Sequence, residues 1–326
     1  MSTGTLILSR SEVARLLGLA ECIEAVEEVF RGEALGTVAA PGILGFHVAD
    51  GGFHIKVAGS GAYFAAKVNA NFPANPDRYG LSTIQGIVAL FDATRGSPLV
   101  LMDSIEITAL RTAAASAVAA RHLARRDAST VTIVGCGLQA RFQLEGIHQV
   151  RPLQIALAVD TDPARRELFC REMTDKLGLP VKSADLKEAL SVSDMVVTCT
   201  PSRRAFVTPD MIRPGTFIAA VGADNPEKQE IDPSLLAEST VVVDHLEQCL
   251  SIGDLHHAVS AGIMRPDAVQ GTLGEVIAKL KPGRRSDAET IIFDSTGTAL
   301  QDVAGAILVY ERALRDGVGR AVSLGT

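Results

Sequence analysis

From Ser9 onward apolar residues return every three to four positions: Val13, Leu16 and Leu17, then, beyond Gly18, Cys22, Ile23, Val26, Val29 and Phe30. That spacing predicts two short amphipathic helices, the first capped by Ser9 or Ser11. Between Gly42 and Asp92 the rhythm changes to alternating, glycine-punctuated runs over 52–57, 63–69 and 84–91. Gly59-Ser60-Gly61 and a Pro/Asn stretch at 71–80 interrupt them, so an antiparallel sheet with a loop at 71–80 is expected. The segment 106–126 is dense in Ala and free of Gly and Pro. Ala loses no side-chain entropy in a helix and lets another backbone come close, so this segment is expected to be a helix linking two domains.

After Asp127 the pattern becomes strand, tight turn, helix, repeated. Apolar, mostly β-branched runs fall near 130–134, 155–159, 194–199, 216–221 and 240–243, with a last one at 290–293. Near-continuous apolarity means burial on both faces, the mark of a parallel sheet covered by helices. A helix from about 298 to 315 is expected to return to the first domain. The fold class is therefore α/β: a Rossmann-type doubly wound parallel sheet at 116–299, plus an α+β substrate and dimerisation domain formed by 1–115 and 300–326.

Composition narrows the function. The 326 residues suffice for two domains, and 47% hydrophobic, 21% charged and 4% aromatic residues exclude a disordered or fibrous chain. Lys and Arg total 31 against 38 Asp and Glu, a net charge of −7, which argues against a nucleic-acid partner. Cys22, Cys136, Cys170, Cys199 and Cys249 are odd in number and fit no metal-ligand spacing, so reduced thiols packed as small apolar groups are expected. The opening residues carry no basic segment before an apolar one, and no run of about 18 apolar residues occurs. A cytoplasmic location away from membranes is the expectation.

The sharpest motif is Val131-Thr132-Ile133-Val134-Gly135-Cys136-Gly137-Leu138-Gln139-Ala140, a strand followed by G-x-G-x-x-A and a helix. Gly135 permits the tight turn, Gly137 lets the backbone reach a pyrophosphate, and Ala140 lets helix and strand pack closely, while the helix N-terminus offers free N–H groups to negative charge. A second strand ends at Asp160, about 20 residues on, where a carboxylate can accept hydrogen bonds from ribose hydroxyls and repel a 2′-phosphate. NAD is favoured over NADP, although Arg165 and Arg166 complicate the charge argument. In open parallel sheets ligands sit outside the carboxyl ends of the strands, which points to Thr200-Pro201-Ser202, Gly222-Ala223-Asp224 and Asp294-Ser295-Thr296-Gly297. Asp224 is a candidate acid or base there, or simply a cap on the turn Asn225-Pro226.

Several segments together resemble the ornithine cyclodeaminase/μ-crystallin family. They are Lys67-Val68-Asn69-Ala70-Asn71-Phe72-Pro73-Ala74-Asn75, Leu90-Phe91-Asp92, Asp103-Ser104, Thr108 to Ala115, the glycine motif, Gly222 to Glu230, and Phe293 to Gly297 with Gln301-Asp302. They follow one another in order from about residue 10 to 315. The resemblance implies hydride exchange between a nicotinamide and the α-carbon of an amino acid or its imine, with Lys67 and Arg111 holding the substrate carboxylate, Asp224 as acid or base, and Lys67 close to the chemistry. It also implies Thr112, Leu138, Gln139 and Ser295 as further cofactor contacts and a homodimer, which an exposed apolar sheet face would explain.

One departure matters. Family members often carry an Arg after a Pro in the first sheet, but no Arg lies between Arg31 and Arg78, and Pro41 to His47 offers only His47. If 53–58 and 62–69 form a hairpin with an even-numbered loop, Lys56 and Lys67 share a face, and Lys56 replaces the missing Arg. His256 and His257 suggest no metal, because adjacent imidazoles on a helix diverge and no third ligand is evident; a loop closing over the ligand, helped by Asp254, is expected instead. The motifs favour an NAD(H)-dependent amino acid dehydrogenase or imine reductase. An ornithine cyclodeaminase that borrows and returns the hydride is the alternative, and a non-catalytic μ-crystallin-like binding protein a second.

Overall fold

β1 (Thr5–Leu8) runs into Ser9, whose N–H and hydroxyl both donate to the Glu12 carboxylate, at 2.8 and 2.6 Å, and so start α1 (Arg10–Leu16). After Gly18 comes α2 (Leu19–Ala34), which buries the predicted stripe Cys22, Ile23, Val26, Val29 and Phe30. β2 (Gly42–Val48), β3 (Gly51–Ser60) and β4 (Tyr63–Asn71) form successive antiparallel hairpins. The expected loop at 71–80 instead holds a short helix, α3 (Asn75–Tyr79), because Pro76 is preset for a first helical turn and Gly80, at φ 64°, closes it in the left-handed region. β5 (Ile84–Asp92), β6 (Pro98–Asp103) and α4 (Ile105–Leu123) follow.

These elements come from a computed structural model that describes residues 4–39 and 41–324. The chain divides into two compact units, Met1–Arg111 with Thr298–Thr326, and Thr112–Gly297, so α4 contains the crossing from one to the other.

In the second unit, β7 (Thr130–Val134), α5 (Leu138–Val150), β8 (Ile155–Val159), α6 (Pro163–Leu177), β9 (Val181–Ser183), α7 (Leu186–Val192) and β10 (Met195–Thr198) alternate as expected. They continue through β11 (Arg203–Val207), β12 (Phe217–Ala220), β13 (Gln229–Ile231), α8 (Pro233–Glu238), β14 (Thr240–Val243), α9 (Leu246–Cys249), α10 (Asp254–Ser260), β15 (Gly271–Thr272), α11 (Leu273–Ile277) and β16 (Ile291–Asp294). Eight strands form one sheet in the order β15-β14-β16-β12-β10-β7-β8-β9, every pairing parallel. From β7 the chain first winds toward β9 and then returns past β7 toward β12, so the strand order reverses beside β7. β11 and β13 make a separate parallel pair.

The chain then re-enters the first unit as α12 (Ala299–Asp316) and β17 (Arg320–Val322). The first sheet is larger than the alternating runs suggested: its order is β17-β1-β6-β5-β4-β3-β2, and β1 pairs with β6 in parallel. The antiparallel reading of 42–92 holds for β2 to β5, which β6 extends in the same sense; β1 is too short to show a period. α12 packs on β3 and β4. Ala58, Ala65, Val88 and Leu90 are buried at alternating positions of that sheet, and the small alanines let the helix approach.

Candidate active site

β7 ends at Val134, and Gly135 turns the chain at φ 93°, its N–H donating to Val159 O at 2.8 Å. A Cβ there would lie 2.8 Å from Thr200 Cγ2, so both conformation and space require glycine. Gly137 differs. As N-cap of α5 it has φ −78° and ψ −165°, extended backbone open to any residue, and a Cβ would meet nothing within 4 Å. The chain's own packing does not demand glycine at 137. The open space before a helix N-terminus, toward which the N–H groups of the first turn point, is what a pyrophosphate fills.

A crevice of about 740 Å³ opens there, lined by Gly135, Gly137, Asp160, Thr200, Pro201 and Ser202 among others. Of the other candidate cofactor contacts, Ala140 is fully buried and serves packing, and Leu138 is exposed at the start of α5. Gln139, Thr112, Gly222 and Ser295 do not line this crevice. Ser295 is buried, its N–H bound to Ala220 O at 2.9 Å. Asp160 accepts Cys136 N–H at 2.7 Å on one oxygen and Asp162 N–H at 2.8 Å on the other, with the Arg165 guanidinium 3.7 Å away. Arg166 and Arg204 line the same crevice.

The first unit holds a buried charge cluster. Gly61, in the left-handed region at φ 57°, and Ala62 make a two-residue loop, so Lys56 stands directly opposite Lys67. Lys67 points from β4 into the face covered by α12, where its ammonium lies 2.8 Å from Asp302 Oδ1 and 2.7 Å from Oδ2. Arg111, on α4, brings Nε to 2.9 Å from the same Oδ1 and donates to Gln301 Oε1 at 2.7 Å. All three charged groups are nearly inaccessible. Asp302 belongs to the N-terminal part of α12, where the helix dipole favours negative charge. Burial alone would raise its pKa, but Lys67, Arg111 and Lys56 outweigh it and hold the carboxyl below its ordinary value. Lys67 is driven the other way, down to about 7, by burial first; Asp302 resists this, while Arg111 and Lys56 add to it. One carboxylate thus serves three cationic side chains, an arrangement that leaves room in its charge balance for one more anion.

In the sequence Asp302 and Gln301 are visible only as part of a motif, without a role. The same holds for Glu230. Its carboxylate, fully buried, accepts Thr198 Oγ1 (2.7 Å) and Gly222 N–H (2.8 Å) on one oxygen and Thr200 N–H and Oγ1 (2.7 Å each) on the other. Burial pushes its pKa up against those four bonds. Asp254 corrects an expectation. It is no part of a closing loop: its side chain is buried, Oδ1 accepts the N–H groups of Glu230 and Ile231 at 2.7 and 2.8 Å, and burial with the Glu230 charge raises it to about 7. Its own N–H and that of Leu255 are held in turn by Asp294, at 3.4 and 2.9 Å.

Asp224 lies past the carboxyl end of β12, exposed, with the Lys228 ammonium 2.7 Å from Oδ1. The capping role open to it is taken by Asn225, whose Oδ1 accepts Glu227 and Lys228 N–H at 3.0 and 3.1 Å. His256 Nδ1 lies 3.2 Å from Leu250 O and His257 Nε2 2.8 Å from Lys228 O, so the two rings serve different backbone partners. The five cysteines are free thiols, four of them buried. Among the described residues no helix is long and apolar enough to cross a membrane.

The model of the ornithine cyclodeaminase/mu-crystallin family matches residues 3–317. Alanine dehydrogenase of Archaeoglobus fulgidus is 41% identical over 318 residues, 98% of each chain. An archaeal alanine dehydrogenase dimer with bound NAD superposes with a TM-score of 0.96 at 40% identity, covering 99% of this chain and all of that one. Thermococcus litoralis Delta(1)-pyrroline-2-carboxylate reductase, in complex with NADH and L-proline, gives 0.93 at 34% identity, covering 98% of this chain and all of that one.

Proposed function

The chain belongs to the ornithine cyclodeaminase/mu-crystallin family, and from that membership we propose that it is an NAD(H)-dependent oxidoreductase acting on the Cα–N bond of a small L-amino acid or its imine. The observation that carries this reading is the buried Lys67–Asp302–Arg111 cluster, with its surplus of positive charge. The cradle in front of Gly137 and the carboxylate of Asp160 fit a dinucleotide.

When bound, the dinucleotide supplies the hydride acceptor for oxidation and the donor for reduction. Arg111 and Lys67 take the substrate carboxylate, the guanidinium fork fixing its orientation and the ammonium adding charge; both are already positioned by Asp302 and Gln301, so little ordering is left for the moment of binding. Lys56, directly across from Lys67, adds the charge that an Arg supplies in other members. Asp224 holds or moves the proton at the substrate nitrogen: an ammonium must lose a proton before Cα–H leaves as hydride, and an imine must gain one before hydride arrives. The exposed apolar residues of edge strand β2, Ile43, Leu44 and Phe46, support pairing with a second copy of the chain.

Small L-amino acids with NAD, and 2-oxo acids with ammonia or cyclic imines with NADH, followed at 340 nm, test the reading. It requires absorbance to change in step with substrate consumed. Ammonia released from ornithine with no net NADH would replace it with cyclodeamination.

A further inference from the structure

Glu230 sits on β13, outside the main sheet, yet its carboxylate is inserted where β10 and β12 end. We propose that Glu230 is a positioning residue for the nicotinamide half of the dinucleotide, tying the crevice-lining Thr200 turn to the backbone at Gly222. The inference rests on the cofactor reading above and deepens it.

The sheet order places the two halves. β8, with Asp160 at its end, lies on one side of β7 and marks the adenosine half; β10 and β12 lie on the other side, so the turns after them belong to the nicotinamide half. Thr200 lines the crevice and abuts Gly135, while Glu230 accepts both its N–H and its hydroxyl. Four donors converge on two oxygens, and only an ionised carboxylate accepts all four without presenting a hydrogen of its own. An amide in its place would set an NH₂ against an N–H or against hydroxyls already committed.

A second observation stands apart from the hydrogen bonds. A Cβ on Gly222 would lie 2.5 Å from both carboxylate oxygens of Glu230, and Gly222 has no positive φ to demand glycine. The residue is glycine because the carboxylate occupies the place of its side chain. Glu230 is itself held from behind, since Asp254 binds its N–H and Asp294 binds the N–H groups that start α10. The clamp therefore ties the ends of β10 and β12, through β13 and α10, to the end of β16.

Titrating NADH and ADP-ribose, which lacks the nicotinamide, into the full-length protein and its Glu230→Gln and Gly222→Ala variants separates positioning from plain folding. Both variants are expected to bind NADH about tenfold more weakly and ADP-ribose as the parent does. Unchanged NADH affinity in Glu230→Gln overturns the inference, and so does an equal loss for both ligands, which would report a general structural defect. A parent protein that binds neither ligand overturns the cofactor reading itself, a result distinct from both.

Discussion

The ammonium of Lys67 and the carboxylate of Asp302 meet at 2.8 Å although 235 residues separate them in sequence. The contact draws the first sheet and the last helix together, and Lys67, Arg111 and Lys56 together offset the desolvation of the carboxylate. Removing one partner of a buried ion pair leaves the other uncompensated. Asp302→Asn should therefore destabilise the protein by about 3–5 kcal/mol, read from the midpoint of urea unfolding. A loss within about 0.5 kcal/mol, as at an ordinary surface site, would show that the cluster is not held by this charge.

The titration of Lys67 gives a pH dependence of defined sign. Its pKa falls from the ordinary 10.5 to about 7 in the folded chain. Between those values the unfolded chain carries a proton that the folded one lacks, so the Lys67 contribution to stability rises with pH from about 7 to 10.5. Carboxylate binding should move oppositely: KM for an amino acid should rise as pH passes about 7 and the ammonium is lost. In Lys67→Met the ionisation should disappear from the KM profile, with kcat/KM about 10- to 100-fold lower, the effect of losing one charged hydrogen bond. A profile that keeps its inflection in the variant would assign it elsewhere.

Lys56→Ala tests the replacement of the family arginine. The side chain faces Lys67 but lies at a half-buried position, so the expected result is a KM raised about 3- to 10-fold, within the range for a partly screened charge, with kcat little changed. An unchanged KM would remove Lys56 from the carboxylate site.

Gly137→Ala separates binding from stability. Because a Cβ there meets no protein atom within 4 Å and the backbone suits any residue, the stability loss should stay at or below about 1 kcal/mol, the difference between Gly and Ala as an N-cap, while NADH affinity falls at least about tenfold from the lost approach to the pyrophosphate. Retained affinity, measured by NADH fluorescence, would mean that the cradle is not used.

Much of the fold was legible because its signals are local. The strands of the second sheet are apolar on both faces, and β7 to β8 carry the glycine turn between them, so their positions and parallel pairing followed from sequence. A shared face for Lys56 and Lys67 was legible only on the condition of an even-numbered loop, and the two-residue loop of Gly61 and Ala62 meets that condition. β1, β9, β15 and β17 were not legible, since two to four residues show no period. The roles of Asp302, Glu230 and Asp254 were hidden for a different reason: each is decided by partners distant in sequence, and a carboxylate in a helix or after a glycine reads equally well as solvated surface. Asp254 shows the error this invites, an expected loop residue that is a buried anchor for the β13 backbone.

The central claim, net hydride transfer between the α-carbon and the nicotinamide, is tested most directly by isotope transfer. With the L-amino acid that turns over best, deuterated at Cα, the NADH formed should carry the deuterium and be one mass unit heavier than NADH from the unlabelled substrate. Formation of NADH without the label, or recovery of the label in an amino-acid product with no NADH accumulated, would contradict it.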